Sequence, residues 1–481
     1  MPAAHAGGKV IPLSSLSPSP AARPSLIAVL AVVLMADVLD LVDGTLTSIA
    51  APAIANDLGG GPGFVSWLGT AYALALGVFL VLGGRLGDRF GQRRLFLIGM
   101  AGFTLSSLAC GLSVNPAMLI AARFAQGSFG ALLIPQGMAI LTSTFSRAEL
   151  GIAFSAFGPV LGLSAMAGPL IGGLIIDADF AGLGWRPMFL INIVIGLVGL
   201  PIAAWVLPKV PARPDVRLDG PGSLLLGLAM LTAIYGLIDG AEAGWIGGAG
   251  AALLASLALF AAFAWRQVTA EAPIILASLF RSRGFVSGLI VGFAFFATVN
   301  GLVFIISLFL QGALGVSPSG AALRLLPMTL GIIAASAAGM ALIPRLGRKL
   351  VVVGLGMTLI GAVLLALVVG VDGGHTVSFL AGALFVLGLG MGSCFGTIYD
   401  IALGDISSEE AGSASGSLSA AQQLAASTGM AVMSSAYLGE VSRLTGNGAL
   451  LLCLAIAGAA ILLSLPLTLM MPQAAPAEPA H

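Results

Sequence analysis

Charge is what this sequence has least of. Lys, Arg, Asp and Glu make up 8% of its 481 residues, against 58% hydrophobic ones and a mean hydropathy of +1.08, a balance that excludes a water-soluble globular protein. Cysteine is nearly absent: Cys110, Cys394 and Cys453 lie far apart in apolar stretches, so neither a disulfide framework nor a metal-ligand spacing is expected. No phosphate loop of the GxxxxGK[ST] type occurs, which argues against intrinsic ATP-driven work. Nor does any nucleophile–base pair or metal-ligand cluster suggest an enzyme, and no cofactor or nucleic-acid partner is expected.

What is there is hydrocarbon-length helix. A span must cover ~30 Å of bilayer core at ~1.5 Å per residue, and fourteen runs qualify: 25–50, 64–83, 95–113, 117–142, 151–176, 187–207, 220–239, 249–266, 285–311, 320–343, 350–371, 376–399, 413–437 and 448–471. Lipid leaves backbone groups no partner outside helices and closed barrels, and barrel strands would alternate polar with apolar. An all-α integral membrane protein follows. The Lys and Arg positions test the count, because cytoplasmic loops collect positive charge. With the N-terminus inside, sixteen of twenty fall in the N-terminal tail or after even-numbered spans, so both termini are expected in the cytoplasm. Residues 1–24, rich in Pro, Ser and Ala, read as a disordered tail, and 472–481 as a second one.

The chain echoes itself. RFGQRR from Arg89 returns as RLGRK from Arg345, an offset of 345 − 89 = 256 residues. Setting aside two central spans in 220–266 leaves six helices in 25–207 and six in 285–471. Paired halves around a midplane site are the architecture of alternating-access transporters.

The first span carries Asp37, Asp40 and Asp43. Three mid-membrane acids cost roughly 3 kcal/mol each, about 9 together, while the twelve Leu, Ile and Val residues between Ile27 and Ile49 return only about 6. The helix must therefore turn its acids toward a wet cavity, pair them or keep them protonated. Positions three apart rotate by about 300°, so Asp37 and Asp43 point roughly 120° apart and the three are not expected to line one cavity.

Four motifs resemble those of the major facilitator superfamily, and within it the fourteen-span drug:proton antiporters. GRLGDRFGQRR (Gly84–Arg94) matches the loop signature after span two, with Gly84, Asp88, Arg89, Gly91 and Arg93 as the cytoplasmic gate set. RFAQGSFGA places Arg123, Gln126, Gly127 and Gly130 on the proton-coupling motif of span four. GPLIGG puts Gly168, Pro169, Gly172 and Gly173 on the antiporter signature of span five. LVDGTLTSIAAPAI sets Asp43 in the acid's place of the span-one motif. WLGTAY, GWRPMFLIN and AGSASG add support over nearly all of 25–471. The resemblance implies two six-helix bundles plus two extra central helices, and proton-coupled export of small amphipathic or cationic compounds from a bacterial cell.

Each motif also has its own physics. Arg123 stays charged and, if span four faces span one, can lower the proton affinity of an aspartate there. The motif position implied by the resemblance makes Asp43 the expected acid for proton coupling or cation recognition, with Asp40 a neighbour on a similar face that could share its proton and Asp37 an extra. Asp88 can pair with arginines at a helix junction that breaks and reforms. Gly158, Gly162, Gly168 and Gly172 offer a groove for close helix approach. Trp67, Tyr72, Gln126, Gln136, Asn192, Asn300, Gln311 and Tyr399 are the candidate polar handles of an apolar substrate cavity. Where relatives often carry Arg-Gln in span thirteen, this chain has Gln422 and Gln423. A narrow exporter of one metabolite, or a non-transporting sensor with the same fold, is the alternative.

Overall fold

The computed structural model describes residues 26–145, 160, 163–164, 167–209, 212, 214, 216–372, 377–406 and 410–473. Gly158, Gly162 and both tails beyond Gln473 and before Leu26 lie outside them. The described chain is helical: α1 (Leu26–Leu58), α2 (Pro62–Phe90), α3 (Gln92–Gly111), α4 (Pro116–Thr144), α5 (Ala167–Ala178), α6 (Pro187–Val206), α7 (Gly220–Ala243), α8 (Gly248–Thr269), α9 (Arg283–Gly312), α10 (Pro318–Leu346), α11 (Arg348–Asp372), α12 (Val377–Leu403) and α13 (Ala411–Leu467). Thr445 divides α13, with φ 65° and ψ 166°, values that end one helix and start another.

Eleven helices in the described residues are long and apolar enough to cross a membrane. Outside that set fall α1, α5 and the part of α13 before Arg443. The first carries the three acids, α5 is described over twelve residues only, and the third is rich in Ser, Gly and Gln. Large apolar side chains cover the outside, among them Leu254, Leu257, Val363 and Leu367, as a lipid-facing surface requires. The protein is a multi-pass membrane protein.

The packing repeats. In the first half α4 packs between α2 and α3, and α3 on α6; in the second α12 packs between α10 and α11, and α11 on α13. Glycine sets the closest approaches in both. A methyl group on Gly83 would run into the Ala131 carbonyl of α4, and one on Gly388 into the Met328 carbonyl of α10, so each pair of helices meets backbone to backbone. The sequence echo has a structural counterpart too. Gly91 ends α2 with φ 99° and Gly347 ends α10 with φ 48°, left-handed positions where a side chain would be strained. Both loops thus stop one helix and start the next within a residue.

Across the seam between the halves, α2 lies along α13, and α1 touches α9 and α10. Helix α7 covers that seam: Met230, Ile234 and Ile238 pack with Leu74 and Val78 of α2 and with Leu424 and Ala431 of α13. Helix α8 packs on α7. Asp219 caps α7 through the Gly222 amide at 3.0 Å and takes Arg266 of α8 at 3.0 Å, which fixes this pair at one end.

Candidate functional site

Four helices of the first half close on one carboxylate. Asp43 is wholly buried. Its Oδ2 accepts from Arg123 Nη1 of α4, and its Oδ1 from Gln126 Nε2 at 2.9 Å and from Asn192 Nδ2 of α6 at 2.6 Å. Ser107 Oγ of α3 accepts from Gln126 Nε2 at 2.7 Å, and Gln126 Oε1 takes a second bond from Arg123 at 2.7 Å. The Arg123 guanidinium also lies over the Tyr72 ring, 4.4 Å from its centroid, and 5.7 Å from that of Phe189. A buried ion pair survives desolvation only when its remaining lone pairs and protons are met; here both Asp43 oxygens and Arg123 Nη1 are met, while Arg123 Nε is buried with no hydrogen-bond partner among the described residues. Arg123 and Gln126 share a face because they stand three apart on α4.

The other two acids go elsewhere: Asp37 as its rotation from Asp43 predicts, and Asp40 despite standing on a similar face. Asp40 accepts the Tyr72 hydroxyl of α2 and reaches a cavity of about 170 Å³ at the seam, lined from both halves by Asp40, Tyr72, Arg123, Asn300, Phe304 and Gln423 among others. Asp37 lines no part of that cavity, and its Oδ2 is buried with no hydrogen-bond partner among the described residues. Asp37 Oδ2 is an orphan acceptor, which is costly in an apolar setting unless the carboxyl is protonated.

The expected substrate handles do not stay together. Tyr72 and Asn300 line the seam cavity. Gln126 and Asn192 are instead bonded to Asp43, and Gln136 donates to the Gly83 carbonyl at 2.8 Å. Trp67 packs with the α7 cluster, and Tyr399 bonds Gln422 and packs on Phe296 of α9. Gln311 ties α9 to α1 by donating to the Ile49 carbonyl at 3.0 Å.

That tie belongs to a closed end. Ser307 Oγ donates to the Ser48 carbonyl at 3.0 Å, Ser434 Oγ to Ser66 Oγ at 2.8 Å, and Asp177 at the end of α5 accepts the Ser319 amide at 3.0 Å. All four contacts join the halves near the end where α1 finishes and α2 begins. Pro52 explains one of them. It has no N–H, so the Ser48 carbonyl four residues earlier loses its helical donor and is free for Ser307. A proline inside a membrane helix was a readable signal for such an acceptor; Ser107 and Ser307, two among many serines, carried none. The glycines of GPLIGG serve the same end: side chains at Gly168 and Gly172 would strike Thr45 and Leu46 of α1, and one at Gly173 would strike Ser319 of α10. Asp57 receives Arg186 at 2.7 Å and Trp185 Nε1 at 3.0 Å, and the Arg186 bond, against burial and with Trp185 helping, holds the carboxyl below its ordinary range.

At the opposite end, the loop arginines bind backbone carbonyls rather than Asp88. Arg85 donates to the carbonyls of Ala272, Pro273 and Ile274 between α8 and α9, at 3.1, 2.5 and 3.2 Å, and Arg93 to that of Ala204 on α6. Asp88 accepts a long 3.5 Å bond from Gln92 and has no ion-pair partner among the described residues. Arg348, in the echoed loop, binds the Leu469 and Met471 carbonyls at 3.3 and 3.1 Å.

Residues 33–430 match a family described as the Major Facilitator Superfamily. Among curated proteins, the chain is 40% identical over 420 residues to a probable actinorhodin transporter of Streptomyces coelicolor, covering 86% of this chain and 72% of that one. It is 35% identical over 420 residues to the tetracenomycin C resistance and export protein of Streptomyces glaucescens, covering 85% and 75%. Among solved structures, an auto-inhibited POT family peptide transporter superposes with a TM-score of 0.65 over 92% of this chain and 96% of the other, at 15% identity, a likeness of fold alone.

Proposed function

We propose that this chain, which belongs to the Major Facilitator Superfamily, exports small amphipathic or cationic compounds from the cytoplasm in exchange for protons. The superfamily and the relatives are transporters, not enzymes. The relatives named for export or resistance favour the outward direction. The observation that carries the coupling is the buried Asp43–Arg123 pair beside a cavity lined from both halves. A carboxylate that can release its arginine can take a proton instead, and a packing change across the seam can follow.

The fuller reading is fourteen spans: a bundle over 25–207, an inserted pair within 220–266 and a second bundle over 285–471, in the bacterial cytoplasmic membrane with both termini inside. In that orientation the hydrogen-bonded end at Ser48, Ile49, Ser66 and Asp177 faces outward. The conformation is then closed to the outside. Gly84, Asp88, Arg89, Gly91 and Arg93 form the cytoplasmic gate, with Arg93 now resting on the Ala204 carbonyl and Arg89 over the Phe90 ring. Gly168, Pro169, Gly172 and Gly173 let α5 pack on the outer gate, and the proton gradient supplies the energy. A narrower exporter of a single metabolite is the second reading, favoured by relatives each named for one compound.

Purified protein in liposomes with an internal pH dye and an imposed proton gradient tests this. Compound-dependent proton flux in wild type that disappears in Asp43→Asn supports coupled antiport. Folded protein that binds compounds yet moves no protons with any of them sinks the reading in favour of a sensor.

A further inference from the structure

We infer that Asp40, and not Asp43, is the carboxylate that reads the positive charge of a transported compound, with the Tyr72 hydroxyl as the group the compound displaces and Gly130 as the gap that seats the pair. The inference takes the seam cavity as the path of an exported compound, and so rests on the function proposed above.

Access separates the acids first. Asp43 is wholly buried under donors from Arg123, Gln126 and Asn192, so a ligand reaches it only by dismantling that network. Asp40 lines the cavity and carries one neutral donor, Tyr72. Charge separates them next. The charged and titratable groups around Asp40 are Asp37 and Asp43 on α1, Tyr72 on α2 and Arg123 on α4. Arg123 is committed to Asp43 and covered by aromatic rings, and no described Lys or Arg makes an ion pair with Asp40. The cavity therefore has one carboxylate facing it that no ion pair holds, while Arg123, which also lines it, is paired with Asp43. An organic cation there gains a charge-assisted contact in place of a neutral hydroxyl, with the Tyr72 and Phe304 rings as apolar faces.

The backbone opposite is cut to fit. A methyl group on Gly130 would stand 3.2 Å from the Tyr72 hydroxyl and 3.3 Å from Asp40 Oδ1, so α4 leaves this spot open for the pair. Tyr72 also joins the two acids: its hydroxyl holds Asp40 while its ring covers the guanidinium bound to Asp43. A ligand that displaces the hydroxyl disturbs the cover over Arg123, a direct route from occupancy to the buried pair.

The test is equilibrium binding to the purified full chain without any proton gradient, using N-methylacridinium and, at mildly alkaline pH, neutral acridine, which share three rings and differ in charge. Wild type is expected to prefer the cation, and Asp40→Asn to lose about tenfold or more of cation affinity while acridine changes by less than about twofold. Asp43→Asn is expected to shift both probes alike. Gly130→Ala, which keeps every charge, is expected to weaken the cation in the same sense as Asp40→Asn, and it stands in should that variant not fold. Wild type that binds neither probe or both equally, or an Asp40→Asn protein that keeps the cation preference, overturns the inference. Failure of proton flux in liposomes touches only the coupling.

Discussion

In the first helix bundle, α1, α3, α4 and α6 close on Asp43, Arg123, Gln126, Ser107 and Asn192. In the second, α9 and α12 close on a stack of rings: Phe296 lies 5.2 Å from Phe295 and 4.9 Å from Phe395, edge to face. The 256-residue offset of the two basic loops carries Asp40 onto Phe296 (40 + 256) and Asp43 onto Val299 (43 + 256). No Asp, Glu, Lys or Arg is buried among the described residues of α9 to α13. Two of its buried threonines bond their own helices, Thr298 to the Ala294 carbonyl and Thr397 to that of Ser393, both at 2.8 Å. The second bundle demonstrates that helices in this arrangement pack without an interior charge. The ions of the first are then an addition to the packing, placed beside the cavity lined from both halves.

The largest expected effect comes from breaking the charged interior on one side only. Arg123→Met leaves Asp43 buried without its cation and should cost about 3–5 kcal/mol, read as a large drop in the thermal midpoint of the purified protein. Adding Asp43→Leu, which gives the first bundle an interior of the second bundle's kind, should restore most of the stability and none of the transport; a double variant as unstable as the single one would mean the ions hold the bundle together. A smaller effect is expected in the aromatic interior. Phe296→Leu should cost about 1 kcal/mol through lost edge-to-face contacts with transport retained, and loss of transport at unchanged stability would show that this bundle does more than pack. The smallest concerns an ion pair outside either interior. Asp57 has a lowered pKa from Arg186 first and Trp185 second, so its contribution is present above the ordinary carboxylate range near 4 and fades as pH falls through the lowered value. The pair is partly exposed to solvent, so the effect is small. Asp57→Asn should melt slightly below wild type at neutral pH and together with it in acid, and equal midpoints at every pH would remove the pair from the account.

The elements that hydropathy and helix punctuation control were legible in the sequence. Long apolar runs marked the helices, and the paired loops at Gly91 and Gly347 marked equivalent corners, because left-handed backbone favours glycine. That Arg123 would serve an aspartate of the first span was legible as well, since each is costly alone inside a membrane; that the aspartate is Asp43 came from the structure. Partner identity among neutral side chains was not. Gln126 and Asn192 look like substrate handles along a helix, yet both turn to Asp43; Gln311 looks like one too, and bonds the Ile49 carbonyl. A sequence says that a helix carries an amide but leaves open which neighbour it faces, because that depends on crossing angles set by glycine contacts many residues away. Likewise Asp88 was expected among arginines, while those arginines reach carbonyls of α6 and of the α8–α9 connection.

Pro52 leaves the Ser48 oxygen with no helical donor of its own and Ser307 as its partner at the closed end. A main-chain oxygen cannot be mutated away, so on the α1 side the bond is immune to drift in residue 48, and only residue 52 or residue 307 can undo it. An alanine at 52 would make α1 a better helix and the closure a poorer one, because the same oxygen would then have two claimants. Helix regularity and closure pull in opposite directions at this position, and selection for a smoother α1 would erode the seal between the halves.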